Sequence, residues 1–420
     1  MSEKSKIFGK SSANTVLENA ELAEIVQKSL ESIQPNSKVL AIIPDTSRDD
    51  NSHLLFPIIT ETLQSKAVAK FDALVAQGTH PPISEAEKLQ KIGLTEFNGK
   101  IFDHEWNNPD ALIKIGTIHS SEINEITNGA FSQDVDITVN KLILDYDVLL
   151  ILGATVPHEV AGFAGGAKYF FPGISGADLT NATHWIGALA GIENIIGRIE
   201  TPTRHLIEKA ADFITKPIIN FNSVVSRNSA NHLQTHALFV GDFRESFRKA
   251  CEVSRKVHIK FVDKKFKKVV AILDEHYTEL WTGGKASYKL GGIIEDGGEL
   301  VIYAPHLTEI SITHGKSIEK YGYAPIEKVK NMVAESDELS KNLCVAAHLA
   351  HVSFAGSQEN PLQPKYPITL ATQVNAEICK KINLVFADFN SINLDEFRKD
   401  SDTFVVENAG RDLYLLEENN

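Results

Sequence analysis

The chain has 420 residues, of which 43% are hydrophobic, and this length predicts two hydrophobic cores rather than one. Lysines and arginines number 42 and aspartates and glutamates 55, so the net charge is 42 − 55 = −13, which disfavours a nucleic-acid partner. The three cysteines form no CxxC motif, which argues against a disulfide framework and a thiolate zinc site and indicates a cytoplasmic, reducing compartment. The sequence contains no apolar run long enough to cross a bilayer, so we expect no membrane partner.

Short apolar runs alternate with amphipathic stretches along the chain. Continuous apolar runs are typical of buried parallel strands, and six are predicted: 37–45, 70–78, 145–154, 267–274, 298–305 and 382–389. The intervening segments include two predicted helices, "LLFPIITETLQSKAV" and "TRHLIEKAADFI", and Thr203 is the expected N-cap of the second. This alternation predicts an α/β fold with two open, mostly parallel sheet domains, helices on both faces of each sheet, and an active site in the interdomain cleft.

A lysine-rich segment, "FVDKKFKKVV", precedes a new series of strands and helices and predicts a domain boundary. We expect an N-terminal α/β cofactor-binding domain over residues 1–264 and a C-terminal α/β domain over residues 265–388. The tail, residues 389–420, is expected to return to the N-terminal domain.

Polar side chains follow the first three predicted strands. Asp45 and Arg48 follow the first strand, His80 the second, and His158 and Lys168 the third. Ligands in open α/β sheets bind beyond the carboxyl ends of the strands, so we expect these side chains to line one crevice. Each also has a structural alternative, because an aspartate after a strand often caps the next helix and a histidine before two prolines can simply form a turn.

Residues 153–185, "GATVPHEVAGFAGGAKYFFPGISGADLTNATHW", are rich in glycine. Gly162, Gly165 and Gly166 allow the backbone to approach a ligand closely, and amides in such a loop can bind a phosphate. The stretch matches neither a Walker loop nor the GxGxxG fingerprint, and its "HEVAG" is not an HExxH motif. Its histidines, including His184, are of the residue type that binds nickel, copper or zinc.

In the predicted second domain, "ELWTGGKASYKLGG" places Trp281, Thr282 and Lys285 ahead of a helix. A lone lysine at such a position is usually a solvated helix residue. The neighbouring aromatic Trp281 favours a pocket wall instead, so these three residues are candidates for binding a small molecule.

Four segments, "DTSR", "GTH", "PHEVAGFAGGAKYFFPGISG" and "NATHW", occur in this order, and with them the chain resembles the lactate racemase family of nickel-pincer nucleotide enzymes, which racemise or epimerise 2-hydroxy acids. The resemblance covers most of residues 38–305. It implies that Lys168 anchors the cofactor, a pyridinium mononucleotide that holds nickel, and that His184 is the protein ligand of the metal. It further implies that Gly165 and Gly166 let the backbone approach the bound nucleotide.

The same resemblance implies roles for the other candidates. His80 and His158 match the acid–base pair, Arg48 and Lys285 match positions that bind the substrate carboxylate, and Asp45 matches a polar position beside the cofactor. The implied reaction is inversion at C2 of a 2-hydroxycarboxylic acid by hydride transfer to the cofactor, with one histidine on each side of the reacting carbon.

The sequence departs from the family pattern where the substrate is expected to bind. Family members active on lactate commonly have tyrosine and glutamine just before the second-domain lysine, whereas this chain has Trp281 and Thr282 there. Asp49 and Asp50 add polar groups beside the expected pocket. Malate or a polyhydroxylated acid therefore fits the sequence as well as lactate does.

Two other functions remain open from the residues alone. A histidine and carboxylate metal site could catalyse hydrolysis or dehydration on a similar sheet, and zinc or iron without nickel would favour that function. A non-catalytic nucleotide or nickel carrier is the other, and it would retain cofactor without turning over any hydroxy acid.

Overall fold

The computed structural model describes residues 7–417, and the chain divides into two compact units. The first unit comprises Met1–Thr183 and Ile199–Val257, and the second comprises His184–Arg198 and His258–Asn420. Each unit contains an open sheet whose strands are mostly parallel, which confirms the predicted fold class. Within the described part of the chain, no helix is both long and apolar enough to cross a membrane.

The first unit contains eleven of the strands found in residues 7–417. They are β1 (Phe8–Ser11), β2 (Lys38–Pro44), β3 (Lys70–Ala76), β4 (Ile101–Phe102), β5 (Leu112–Ile118), β6 (Val135–Asn140), β7 (Val148–Ala154), β8 (Pro157–His158), β9 (Gly162–Phe163), β10 (Ile218–Arg227) and β11 (Leu233–Gly241). Its helices are α1 (Asn19–Ser29), α2 (Ser52–Ser65), α3 (Glu85–Ile92), α4 (Ser120–Ile126), α5 (Ala177–Ala190), which continues into the second unit, α6 (Pro202–Ala211) and α7 (Phe243–His258).

The sheet of the first unit has seven strands in the order β1-β11-β10-β7-β2-β3-β4. The five strands from β10 to β4 pair in parallel, and β11 and β1 add antiparallel pairs at one edge. The chain moves outward from β2 through β3 to β4 and then returns to β7 on the other side of β2. The strand order therefore reverses between β2 and β7, where open sheets of this kind bind ligands.

The central strands form because their sequences are apolar on both faces. In β2, "KVLAIIP", every residue after Lys38 is buried, as expected for a parallel strand covered on both sides. Its neighbours β3 and β7 are buried in the same way along most of their length. These three strands confirm the apolar runs predicted for the first half of the chain.

The second unit contains the remaining described strands and helices. The strands are β12 (Ile259–Val262), β13 (Phe266–Ile272), β14 (Ile294–Ala304), β15 (Ile368–Thr372), β16 (Val385–Phe386), β17 (Thr403–Val406) and β18 (Leu413–Leu416). The helices are α8 (Leu280–Gly283), α9 (Lys285–Leu290), α10 (Gly315–Tyr321), α11 (Ile326–Glu335), α12 (Asp337–Ser340), α13 (Leu343–Ser353), α14 (Ala376–Lys381) and α15 (Leu394–Lys399). Its five-stranded sheet is parallel throughout, in the order β16-β15-β14-β13-β17.

The sequence led us to expect that the tail of the chain returns to the first unit. The tail instead belongs to the second unit. Strand β17 pairs in parallel with β13, from Lys268 opposite Thr403 to Ala271 opposite Val406. Residues 389–417 thus complete the second sheet, because β17 supplies the hydrogen-bonding partner that β13 needs on its open side.

Two local predictions are also corrected. The run 382–389 contains only the two-residue edge strand β16, and both of its residues are exposed rather than buried. Helix α6 begins at Pro202, and its N-cap is Thr201 rather than Thr203, because the Thr201 hydroxyl accepts the Arg204 amide hydrogen at 3.0 Å. Proline suits the first helical position, since its missing N–H would have no partner there.

Candidate functional site

The polar residues predicted from the strand ends of the first unit lie at its reversal of strand order. Strands β2 and β7 are adjacent, from Val39 opposite Val148 to Ile42 opposite Ile151. The segment after β2 carries Asp45 and Arg48, the segment after β7 carries the loop with His158 and Lys168, and His80 follows β3. The parallel register brings these three segments to the same edge of the sheet.

Asp45 and His80 form a direct pair. Asp45 Oδ2 lies 2.6 Å from His80 Nδ1, and Asp45 Oδ1 accepts hydrogen bonds from the Ser47 amide at 3.0 Å and the Ser47 hydroxyl at 2.5 Å. Asp45 is only 4% exposed. Burial raises the pKa of this carboxyl, but the hydrogen bond and charge of His80, with the charge of Arg48, outweigh burial and hold the pKa well below its usual value. The carboxylate therefore stays ionised and fixes the imidazole.

The acidic residues after Arg48 are structural. Asp49 forms an ion pair with Arg227 at 2.6 Å, and buried Asp50 forms one with Lys91. Lys91 Nζ also donates to the Arg48 carbonyl oxygen at 2.9 Å. Both carboxylates are thus occupied by basic partners, which is a correction to the expectation that they add polar groups to a pocket. The Arg48 guanidinium has no ion pair or hydrogen bond with any residue that the structure describes.

His158 lies in the short hairpin of β8 and β9 and is 8% exposed. Its Nδ1 accepts a hydrogen bond from the Val160 amide at 3.1 Å, so a neutral ring carries its hydrogen on Nε2. Glu159 Oε2 lies 3.7 Å from the same Nδ1. The neutral His158 ring therefore has the opposite tautomer to His80, whose Nδ1–H donates to the Asp45 carboxylate.

The glycine-rich loop folds as the hairpin followed by a 3-10 turn at Gly166–Tyr169. Gly165 and Gly166 have φ values of +99° and +62°, which side chains rarely adopt. A Cβ on Gly165 would lie 2.5 Å from Thr155 Oγ1, and that hydroxyl is buried without a hydrogen-bond partner in residues 7–417. The absence of a Cβ on Gly165 thus lets the loop backbone lie directly against Thr155.

Lys168 closes this loop, and its amine makes no hydrogen bond or ion pair with the described residues. Burial lowers its pKa to about 7, and the positive charges of Arg48 and Arg204 act in the same direction. The negative charges of Glu159 and Asp45 act the other way and are outweighed. A lysine in this state is partly neutral at physiological pH and therefore nucleophilic.

In the second unit, Lys285 begins α9, and its Nζ lies 5.6 Å from the centre of the Tyr277 ring. A Cβ on Gly410 would lie 3.3 Å from Lys285 Cβ. Tyr277 follows β13 and Gly410 follows β17, the two strands between which the second sheet reverses its strand order. Lys285 therefore lies near the point where the second sheet reverses its strand order, just as Asp45 and His80 lie near that point in the first sheet.

Trp281 packs against two histidines that the sequence patterns did not single out. Its ring centre lies 3.8 Å from that of His348 and 4.6 Å from that of His314. His348 Nδ1 lies 3.0 Å from the Tyr288 hydroxyl. Burial, together with the charges of His351, His314 and His184, lowers the pKa of His348 well below its usual value.

His184 lies in α5, at the first residue of the second unit. Its charge influences His348, so the two side chains occupy one electrostatic environment. Across residues 7–417, no three histidine, cysteine, aspartate or glutamate side chains are grouped closely enough to hold a metal.

The sequence could have indicated some of the residues that were missed. His348 and His351 stand in "LCVAAHLAHVS", which is apolar enough to predict a buried helix, and two histidines there are unusual. Arg204, in contrast, lies in an ordinary amphipathic helix, and nothing in its local sequence shows that it faces inward.

Part of the chain is similar in sequence to known lactate racemases. The family model for the lactate racemase N-terminal domain matches residues 3–193, the range that contains Asp45, His80, His158 and Lys168. Over this range the chain is similar to the N-terminal domain of lactate racemases. Lactate racemase of Lactiplantibacillus plantarum is 30% identical over 148 residues, which are 35% of this chain and 32% of the relative. Lactate racemase of Thermoanaerobacterium thermosaccharolyticum is 30% identical over 161 residues, 37% of this chain and 34% of that protein.

The chain thus spans about a third of the length of the curated lactate racemases it matches. Solved structures extend the likeness in fold to nearly the whole chain. A crystal structure of a Thermotoga maritima protein has a TM-score of 0.88 and 30% identity, covering 97% of this chain and 100% of that one. The lactate racemase apoprotein of Thermoanaerobacterium thermosaccharolyticum has a TM-score of 0.71 at 19% identity, covering 94% of this chain and 93% of that one.

Proposed function

We propose that this protein is a racemase or epimerase that inverts C2 of a 2-hydroxycarboxylic acid with a nickel-pincer nucleotide as cofactor. The observation that carries the proposal is the 2.6 Å pair of Asp45 and His80 at the reversal of strand order, within the residues that match the lactate racemase N-terminal domain. The relatives named lactate racemase support a racemase reaction in general. Cys251 and Cys379 are free thiols in the described structure, which supports a reducing, cytoplasmic location.

The residues of the first unit fit such a nucleotide. Gly165 and Gly166 have positive φ and lack the Cβ atoms that would meet Thr155 and Phe247, so the loop backbone can pack closely, and Thr155 Oγ1 lacks a partner among residues 7–417. Lys168 offers a partly neutral amine for attachment, and Arg48 offers a cation for an anionic group. When bound, the cofactor would supply the hydride acceptor that the reaction needs, because the C2–H bond of a hydroxy acid is too weakly acidic for histidine to ionise.

His80 is the residue best arranged to take the substrate hydroxyl proton. Its Nδ1–H donates to Asp45 Oδ2, so the lone pair of Nε2 is available as a base. The ionised carboxylate of Asp45 also stabilises the imidazolium that forms when His80 accepts the proton. Loss of the hydroxyl proton together with the C2 hydrogen and its electron pair converts the hydroxy acid into a 2-keto acid.

His158 would act on the opposite face of the reacting carbon. Its hydrogen bonds determine how it can transfer a proton. As a neutral ring it offers an Nε2–H, because Nδ1 accepts from Val160. To become an imidazolium that returns a proton, its Nδ1 must leave the Val160 amide and find an acceptor, and Glu159 Oε2 at 3.7 Å is close enough to serve. Each direction of the reaction uses one histidine as base and the other as acid.

The remaining assignments follow from the resemblance and from side-chain chemistry. Arg48 and Lys285 would bind the substrate carboxylate, Lys168 would attach the cofactor, and His184 would be the protein ligand of nickel. Trp281 would contact the substrate. The Thr282 hydroxyl donates to the Glu279 carbonyl oxygen at 3.1 Å, so towards a substrate it can only accept. This favours an acid with additional hydroxyl groups.

The test is inversion by protein purified from a host that makes the cofactor. Single enantiomers of lactate, malate and sugar acids would be incubated with nickel-containing protein and analysed by chiral chromatography. We expect inversion of at least one acid, and His80→Ala and His158→Ala should each reduce both directions by about 10² to 10⁴. No inversion of any acid despite full cofactor retention would favour a carrier, and hydrolysis or dehydration with zinc or iron would favour the metal-site alternative.

A further inference from the structure

Arg204 is a fully buried cation beneath the glycine-rich loop. Its Nη1 donates to the Gly165 carbonyl oxygen at 3.2 Å, and its Nη2 donates to the Phe163 carbonyl oxygen. The guanidinium lies over the Phe247 ring, 3.9 Å from the ring centre. Its Nε has no hydrogen-bond partner in the described structure. Arg204 thus reaches from α6 to two carbonyl groups of the loop that contains Lys168.

No carboxylate of residues 7–417 forms an ion pair with Arg204. Glu208, one turn later on α6, is paired instead with Arg244 at 3.3 Å and with Arg248 at 3.4 Å. Burial lowers the pKa of Arg204 to about 10, which still leaves it charged at neutral pH. Because an unpaired buried charge is costly, its retention here indicates a role that a neutral side chain would not fill.

The Gly165 carbonyl group links Arg204 to Lys168. Its oxygen accepts from Arg204 Nη1 and also from the Lys168 backbone amide at 3.4 Å. On the other side of the turn, the Gly166 amide donates to Asn222 Oδ1 at 3.0 Å. Arg204 and Asn222 therefore hold the loop from its carbonyl side and its amide side, which a segment with two residues at positive φ requires.

The charge of Arg204 also acts on the Lys168 amine. The charged groups that influence this amine are Arg48 and Arg204, which favour its neutral form, and Glu159 and Asp45, which favour the charged form. Arg48 follows a strand end and is partly exposed, whereas Arg204 is buried and screened little by solvent.

We propose that Arg204 is a positioning residue that fixes the turn before Lys168 and, through its buried charge, keeps the Lys168 amine nucleophilic towards an acyl-type carbon of an anionic ligand. This deepens the proposed role of Lys168 in attaching a cofactor. In the bond-forming step the nitrogen lone pair attacks the acyl carbon, the leaving group departs with the electrons of its bond, and the nitrogen loses one proton to water.

The experiment measures acylation of Lys168 in full-length, cofactor-free protein. Trace acetic anhydride would be added at a series of pH values, and acetylation of Lys168 would be quantified by peptide mass spectrometry against exposed lysines of the same sample. Wild-type protein should show a midpoint for Lys168 near pH 7. Arg204→Met, which is similar in length and uncharged, should raise that midpoint and slow acetylation at neutral pH by about threefold to tenfold.

Arg244→Met is the matched control, because it removes an arginine that also contacts the end of α6 but not the loop. It should leave the Lys168 profile unchanged. Arg204→Lys keeps the charge but has no planar fork to bind two carbonyl groups, so it should keep the midpoint while lowering the limiting rate. Folding of each variant would be checked by circular dichroism and urea unfolding.

A folded Arg204→Met protein with the wild-type midpoint would overturn the proposal. If that variant does not fold, the Arg204→Lys variant tests the proposal. An unchanged limiting rate of Lys168 acetylation in it would show that the guanidinium of Arg204 does not position Lys168. The assay uses no nickel, nucleotide or hydroxy acid. Failure of the proposed racemase reaction would therefore leave this result standing, and failure here would leave the racemase proposal open to its own test.

Discussion

Replacing Asp45 with asparagine tests the proposed role of His80 as a base that Asp45 holds in place. The ionised carboxylate accepts from His80 Nδ1 at 2.6 Å in a site that is only 4% exposed. A hydrogen bond to a charged group is worth about 1.5–3 kcal/mol and is about twice as strong as a neutral one. Asp45→Asn should therefore remove about 1–1.5 kcal/mol of imidazolium stabilisation, which is about tenfold in kcat. The KM should change little, because the ground state loses no contact with substrate.

The racemisation rate of cofactor-loaded enzyme would be measured by chiral chromatography, with the acid from the screen that is inverted fastest. Asp49→Asn is the matched control, because Asp49 makes a half-exposed ion pair with Arg227 that should contribute less than about 1 kcal/mol. Asp45→Ala, which removes the acceptor altogether, should approach the loss of about 10² to 10⁴ expected for His80→Ala. Full activity of folded Asp45→Asn, or an equal loss in Asp49→Asn, would refute the argument that this carboxylate orients and stabilises the imidazole.

Four further outcomes are expected. Lys168→Ala should lose the cofactor, and intact-mass measurement showing undiminished loading would contradict its proposed role. His184→Ala should lower nickel content while the circular dichroism spectrum is retained, and normal nickel stoichiometry would refute that assignment. Inversion in heavy water should leave mostly protium at C2, whereas extensive deuterium would indicate carbanion chemistry. Asp72→Asn should cost about 2 kcal/mol in urea unfolding at pH 7, because buried Asp72 accepts from Lys70 and Tyr146. Since its pKa is lowered on folding, that contribution exists above about pH 4 and should shrink as the pH falls further.

Much of the first unit was predictable because its central strands are buried on both faces. Their apolar runs are continuous, so each strand end was clear from the sequence, and the polar residues after β2, β3 and β7 could be assigned to one edge. The pairing of β17 with β13 was not predictable, because "TFVV" is only four residues long and its partner is chosen by long-range register. The run 382–389 is equally apolar, yet it contains only the short, exposed edge strand β16.

Within the site, residue types were easier to predict than partners. Asp49 and Asp50 stand next to Arg48 in the sequence, but their ion-pair partners are Arg227 and Lys91, which are 178 and 41 residues away. No local pattern specifies such pairs. The same limit applies to Arg204, because an amphipathic helix shows the spacing of its charged residues and not which of them turns towards the core.

Local charge at the site opposes the charge of the whole chain. The net charge of −13 would repel a small carboxylate or a nucleotide phosphate at long range. At the carboxyl edge of the first sheet, however, Arg48 and Lys168 have no acidic partner in the described residues, and Arg204 adds a buried positive charge beneath them. The Asp45 carboxylate, which is hydrogen-bonded to His80 and Ser47, offsets part of this positive charge. These charges would attract an anionic ligand over the last few ångströms, where solvent screening is weakest, and the partly neutral Lys168 would contribute less to that attraction than Arg48.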